Sequence, residues 1–280
     1  MKNDKNECVF EWQQYNKVKY GWFPVLAQKG LITHGFSTRL GGVSKGDFST
    51  MNLAYNSGDD PESVKENYRR FTTALGVDRR NAVLTHQTHQ SRIRQVSQKD
   101  KGKGLLIPRD YHSIDGLMTN EPEIVLMSFH ADCIPLYLID PVQRAVGMGH
   151  AGWRGTVENL AGKMIRKMVR AYGTNPKNVL AGIGPSIHAC CFLIREDVKR
   201  QMLQHLPFTA EHMRQVNKDQ WSLSLQAVNR QLLWKEGVPD SQIFSSGVCT
   251  CCQHNLLFSH RKQGEKRGTM AALIQINNQT

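Results

Sequence analysis

Short apolar runs alternate with amphipathic segments along almost the whole chain, and this alternation most constrains the fold. Short apolar runs bounded by polar turns read as buried strands, and apolar residues three or four apart read as one face of a helix. The runs at 82–84, 124–129, 145–149, 179–183 and 270–276 predict strands. Asp59-Asp60-Pro61 is a helix start, with an acidic cap and proline in the first turn. Val64, Tyr68, Phe71 and Leu75 then recur at helical spacing until Gly76. Thr156 predicts the cap of a second helix with Leu160, Met164, Met168 and Ala171 on one face, stopped by Gly173. Further helices are expected over 197–206 and 223–235. Strands interleaved with helices in this way specify a layered α/β (α+β) sandwich with a mixed sheet. No internal repeat, low-complexity tract or Pro/Gly-rich linker divides residues 1–280, so one domain is expected, with residues 1–30 set apart as an N-terminal extension.

Composition narrows the class. With 40% hydrophobic and 21% charged residues the chain is globular rather than disordered or fibrous. The N-terminal MKNDKNECVFEWQQYN has no apolar core of signal-peptide length, and the apolar stretch CIPLYLI is too short to cross a bilayer. Seven cysteines form an odd set with three inside residues 249–252, which argues for reduced thiols rather than a disulfide framework. The expectation is a soluble, cytoplasmic protein without a membrane partner. A net charge of +12 favours anionic ligands. The basic residues are scattered, however, with short clusters at Arg79-Arg80, Lys199-Arg200 and 262–267, so a solvated basic surface is expected and nucleic acid is not.

Three metal-competent side chains fall at strand–loop junctions, where α/β folds place ligand sites. Cys133 follows one apolar strand, His150 ends another within the glycine-rich turn at 149–155 and just before the Thr156 helix, and His89 follows a third. Two imidazoles and one thiolate suit zinc and leave a fourth position open. Their separations of 44 and 17 residues match no local metal motif. Chemistry alone therefore leaves open a buried structural cysteine and two histidines satisfied by backbone contacts.

Eight strings occur in order: HGFSTRLGGVS (34–44), MNLAYNSGDDPESVKENYRR (51–70), THQTHQ (85–90), IDGLMT (114–119), ADCIPLYLID (131–140), GHAGWRG (149–155), GIGPSIHACC (182–191) and CTCC with LLFSHR (249–261). Together they resemble the YfiH/YlmD family, also called the polyphenol oxidase or laccase-domain family. The resemblance implies a single-domain α/β sandwich with one zinc ion held by His89, Cys133 and His150, His86 being a competing ligand that the family pattern disfavours. It also implies phosphorolysis of purine nucleosides (adenosine, inosine, guanosine, methylthioadenosine) and some adenosine deamination. The older laccase label fits poorly, because the chain has 11 histidines and no His-x-His pair. Copper nonetheless competes for such ligands, so Cu2+ fits the same site.

For a phosphate, Arg39 and Arg154 are the candidate guanidinium forks, with structural clamps as the alternative. Asp132 is a candidate to orient a ligand histidine, or else faces solvent. Asn52 is a candidate substrate contact, a turn role being the alternative. Cys249, Cys252 and His254 suggest a second metal, but the family carries a similar Cys-Thr-x-Cys segment without a metal role, so packing is expected. Trp153 is expected to pack beneath the His150 turn. One departure stands out. The family carries a Thr-Gly-Arg turn before its last strand, whereas this chain reads Lys266-Arg267-Gly268-Thr269-Met270, with arginine before the glycine. The leading expectation is a monomeric zinc-dependent purine nucleoside phosphorylase. The competing ones are a cysteine hydrolase with Cys133 as nucleophile and a non-enzymatic basic binding protein.

Overall fold

The computed structural model describes residues 9–278. It shows a mixed α/β fold built on two six-stranded sheets. In spatial order the first sheet runs Glu11–Tyr15, Val18–Trp22, Ile32–Ser37, Met270–Ile276, Val125–His130 and Ala82–Leu84. All its neighbours are antiparallel except the last pair. The second sheet runs Ile243–Ser245, Leu180–Ile183, Ile134–Asp140, Ala145–Ala151, Gly116–Thr119 and Ile93–Gln95, antiparallel in the middle and parallel at both outer pairs. A small third sheet joins Leu193–Ile194, Gln220–Leu223 and Met213–Asn217.

Side chains of a strand alternate between its faces, and the layering follows from that period of two. Along Ile134–Asp140, Leu136 and Leu138 pack with Met164, Met168 and Leu232, while Tyr137 and Ile139 pack with Phe36, Leu126 and Ile274. Along Met270–Ile276, Ala272 and Ile274 join that second cluster, and Ala271 and Leu273 join Val64, Tyr68 and Phe71. The order of layers is therefore helix, sheet, sheet, helices. Central strands covered on both faces need continuous apolar sequence, which explains why they read as runs rather than as alternations.

The helix Pro61–Ala74 starts as the sequence dictates. Asp60 caps the amides of Glu62 and Ser63, and Val64, Tyr68 and Phe71 face the first sheet. The expected helix from Thr156 is instead two helices, Trp153–Val157 and Leu160–Tyr172. Asn159, at φ 56°, breaks the first and caps the second through Gly162 N–H. Thr156 is buried inside the short helix, where its hydroxyl accepts from Asn229, and Ile165 rather than Ala171 completes the apolar face. Two strands at 11–15 and 18–22, within the segment set apart as an extension, pair into the first sheet. Among the described residues no helix is long and apolar enough to cross a membrane.

His34 is 3% exposed between the sheets, where its Nε2 accepts the Phe23 amide at 3.0 Å and its Nδ1 has no partner among the described residues. Burial pushes its pKa down to about 4. The unfolded chain takes up this proton first, so the contribution is complete above about pH 6.5 and is lost as pH falls toward 4. Between pH 7 and 4.5 the wild type should lose roughly 2 to 3 kcal/mol more than His34→Gln, whose amide oxygen accepts the same bond without titrating. Urea unfolding of both proteins at the two pH values checks this; equal losses would exclude His34 as the source.

Candidate active site

The chain leaves the first sheet at His130, turns through Ala131, Asp132 and Cys133, and enters the second sheet at Ile134. So tight a crossing puts Asp132 at φ 92°, a region that non-glycine residues seldom occupy. Two bonds hold it there. Its Oδ1 accepts the Thr250 hydroxyl at 2.6 Å and its Oδ2 accepts the Arg261 amide at 2.7 Å. On the same turn, the Cys133 carbonyl bonds to Nδ1 of His130 at 3.1 Å, while Ser128 Oγ lies 2.7 Å from the other ring nitrogen. Burial, reinforced by the charge on His150, holds the His130 pKa well below the usual histidine value.

His89 and His150 are tied to one carboxylate. Asp115 is fully buried. Its Oδ2 accepts the amides of Thr88 and Gln90 and its Oδ1 accepts that of His89, each at 3.1 Å. The same Oδ1 takes Nδ1–H of His150 at 2.9 Å. Three successive amides aimed at one anion form a nest, and wrapping them around it places His89 at φ 61°. Burial pushes the Asp115 carboxyl up, but His150 and the amides together pull it below the usual carboxylate range.

The metal-binding atoms of His89, Cys133 and His150 converge to within 4.8 Å of one another. The two rings meet nearly edge to face at 5.0 Å. Gly152 makes room for them, since a Cβ there would lie 3.0 Å from the Cys133 sulfur and 3.1 Å from Cδ2 of His89. Burial pushes the Cys133 thiol up, yet His150 and His89 outweigh it and bring it down to about 6. Burial likewise opposes charge on His150, but the Cys133 thiolate and Asp115 lift it to about 9. A ready thiolate, two imidazoles and a carboxylate behind one of them are the donor set of a metal centre with an open position. Without an ion the same groups form a thiolate–imidazolium pair. His86 stands outside the group, with its Nδ1 accepting the Ser113 amide at 3.0 Å.

All three residues lie on the wall of a cavity of about 650 Å³, together with Tyr55, His86, Arg109, Phe129 and Arg267. The other expected contacts do not reach it, and the reasons are physical. Arg39 gives Nε and Nη2 to the Ser49 carbonyl and Nη1 to that of His254, and it lies over the Phe258 ring, so its fork is fully used as a clamp. Arg154 is on the exposed side of the helix Trp153–Val157, stacked on Trp153 at 4.3 Å. Asn52 is fully buried. It bonds to Ala54, Ser57 and Asp59 and accepts the Thr269 amide, so it shapes the turn that carries Tyr55 rather than touching a ligand. Asp132 supports the turn before Cys133, and the histidine-orienting carboxylate is Asp115. A second depression of about 520 Å³, beside Tyr15 and Arg69-Arg70, has no comparable group, and both its arginines are paired with Glu66.

Sequence reasoning missed three residues here. Asp115 sits inside the quoted string IDGLMT but lies 26 residues beyond His89, with no spacing to mark it. Arg267 was visible only as a departure from a pattern. Its guanidinium is partly buried at the cavity, its Nε has no partner among the described residues, and burial holds its pKa below the ordinary arginine value. Arg109 carries no sequence signal; its Nη1 donates to the Thr85 carbonyl at 2.6 Å, which fixes it at the cavity wall.

A mixed two-sheet sandwich with a His/Cys/His pocket at the seam between its sheets defines a recognisable class of protein. The chain belongs to the family described as multi-copper polyphenol oxidoreductase laccase, whose model matches residues 33–277. It is 36% identical over 248 residues to the purine nucleoside phosphorylase YlmD of Bacillus subtilis (strain 168), covering 87% of this chain and 88% of that protein. The crystal structure of YlmD from Geobacillus stearothermophilus matches with a TM-score of 0.89 at 32% identity, over 96% of this chain and 99% of that one. The Bacillus licheniformis protein YfiH matches with a TM-score of 0.87, also at 32% identity, over 95% and 99%.

Asp115→Asn turns one of the two amide-accepting oxygens into a donor and removes the counter-charge of His150. It should lower the free energy of unfolding by roughly 3 kcal/mol and weaken binding of added Zn2+ by about 10- to 100-fold. Urea unfolding and competition with a chromophoric chelator measure the two effects. A variant unchanged in both would show that Asp115 does not organise the site.

Proposed function

We propose that this protein is a zinc-dependent purine nucleoside phosphorylase, converting adenosine, inosine, guanosine or methylthioadenosine and phosphate into free base and the sugar 1-phosphate. One observation carries the reading: a single cavity holds the His89/Cys133/His150 group and, on the same wall, the partly buried guanidinium of Arg267. The cavity is in the size range of small-ligand sites. The name of the 36%-identical Bacillus subtilis relative supports the same chemistry.

His89, Cys133 and His150 would hold the ion, which when bound supplies Lewis acidity toward a substrate oxygen or nitrogen. The remaining work falls to side chains of the chain itself. Tyr55 and Phe129 offer flat apolar faces to a base. Arg267 and Arg109 take the place first expected of Arg39 and Arg154, as guanidinium partners for phosphate. The Nδ1 of His86 accepts the Ser113 amide, so its proton is on Nε2, available to a ligand in the cavity. Burial and the nearby Arg109 and His112 hold His86 below the usual histidine value, which keeps it in that neutral form. Held in this way, a phosphate oxygen forms the new bond to the anomeric carbon as the bond to the base nitrogen breaks and the base takes up a proton. Adenosine deamination follows as a side reaction, with water replacing the exocyclic amine and ammonia leaving. Copper fits the same donors, but the other cluster of potential ligands among the described residues has no histidine, which does not favour a multi-copper centre.

A second reading has its own support. Asp115, His150 and Cys133 form a hydrogen-bonded chain with the thiol lowered to about 6, the arrangement of a cysteine hydrolase. Chelators separate the two readings. Activity lost on chelation and restored by Zn2+ supports the phosphorylase; activity resistant to chelators but abolished by a thiol alkylator supports the hydrolase.

Zinc-loaded protein given adenosine or inosine should release ribose 1-phosphate only when phosphate is present. Arg267→Ala should raise the phosphate KM about 10- to 100-fold, the loss expected for one charge-assisted contact, and leave the nucleoside KM nearly unchanged. Inactivity toward every purine nucleoside, in protein verified to hold zinc, would overturn the assignment.

A further inference from the structure

Leu180–Ile183 and Ile243–Ser245 are parallel neighbours, so the loops that leave them run side by side at the same end of the second sheet. Their pairing continues into the loops through a bridge between Ser186 and Cys249. The first loop carries Cys190 and Cys191. The second carries Cys249 and Cys252, in the C-x-x-C spacing common in zinc knuckles. None of the four is disulfide-bonded, and their sulfurs all lie within 4.8 Å of one another.

The separations have a specific meaning. Cys190 lies 3.8 Å from Cys191, 3.6 Å from Cys249 and 3.5 Å from Cys252, and Cys191 lies 3.5 Å from Cys252. An ion bonded to four sulfurs at about 2.3 Å in a tetrahedron sets them about 3.8 Å apart. These four separations stand close to the edge length of one such tetrahedron, the remaining pairs lie within 4.8 Å, and all are nearer together than the cysteine sulfurs around an iron–sulfur cubane. The Cys249 sulfur also accepts the His188 amide at 3.5 Å, a contact that favours thiolate. Packing, the role expected from the sequence, does not explain the group. Cys249 is buried, but Cys190 and Cys252 are exposed, and cysteines that serve only to pack are among the most buried residues. His254, once a candidate partner, is outside the group, with its Nδ1 on the Cys251 carbonyl.

We propose that Cys190, Cys191, Cys249 and Cys252 form a second metal site, an all-thiolate centre for a single divalent ion of zinc type. The ion ties the two loops together. Thr250 lies between two of its ligands and donates to Asp132, so the centre also braces the turn that presents Cys133. The site stands independently of the phosphorylase reading.

The test uses the full chain, stripped of metal under anaerobic reducing conditions and titrated with Co2+. The wild type should bind two equivalents. Cys133→Ala should keep one, with the intense charge-transfer and ligand-field absorption of tetrahedral cobalt thiolate. Cys190→Ser, at an exposed position, should remove that spectrum and keep the other equivalent; circular dichroism confirms that each variant is folded. Three results would each overturn the proposal: folded Cys133→Ala that binds no Co2+, a thiolate spectrum unaffected by Cys190→Ser, or an intact mass showing these cysteines oxidised to disulfides in protein kept reduced.

Discussion

A carboxylate sealed from water must find all its partners within the protein, and Asp115 finds four: three consecutive amides and one imidazole. Much of the site follows from that requirement. The amides can reach it only if the chain at Thr88–Gln90 folds around it, which bends His89 into the left-handed region and toward Cys133. The imidazole is satisfied through Nδ1, so His150 meets Cys133 with its other nitrogen. One buried charge therefore sets the position of His89 and the orientation of His150. A stripped buried pair of this kind is costly to break, because the surviving partner keeps its desolvation without its counter-charge.

The sheets position Cys133 by a different route. Strands buried on both faces leave little freedom in how they pack, and the three-residue crossing from His130 to Ile134 must join two of them. Cys133 is where that crossing ends. The strain at Asp132, of the order of 1 to 3 kcal/mol for a residue in such a region, persists because a hydroxyl and an amide from elsewhere in the chain hold its carboxylate. The two turns that present Cys133 and His89 thus share one device, a residue at positive φ held by an aspartate's bonds: Asp132 through its own carboxylate, and His89 through Asp115.

What the sequence made legible divides along the same physical line. Strands such as 82–84 and 270–276 were plain because two-sided burial demands unbroken apolar residues. The helix Pro61–Ala74 was plain because cap, proline and period agree. The break at Asn159 was not, since nothing but a positive φ there separates two segments of continuous helical pattern. Cys133, His150 and His89 stood out by their place at strand–loop junctions. Asp115 did not, because a buried anion is defined by amides that converge only after folding. Arg39 and Asn52 misled for a related reason: a polar side chain spent on backbone groups looks, in sequence, the same as one free for a ligand. The four-thiol group depended on two loops becoming neighbours through a parallel pairing that Cys spacing does not encode.

His89, Cys133 and His150 come from three separate stretches of chain, so the unfolded polypeptide holds none of them together. Any ion that occupies their meeting point binds the native state almost exclusively. Mass action then makes the stability of this protein a function of its surroundings, rising by about 1.4 kcal/mol for each tenfold increase in free ion above the dissociation constant. Two preparations with identical coordinates can accordingly differ in melting temperature simply because one met a chelator on the way.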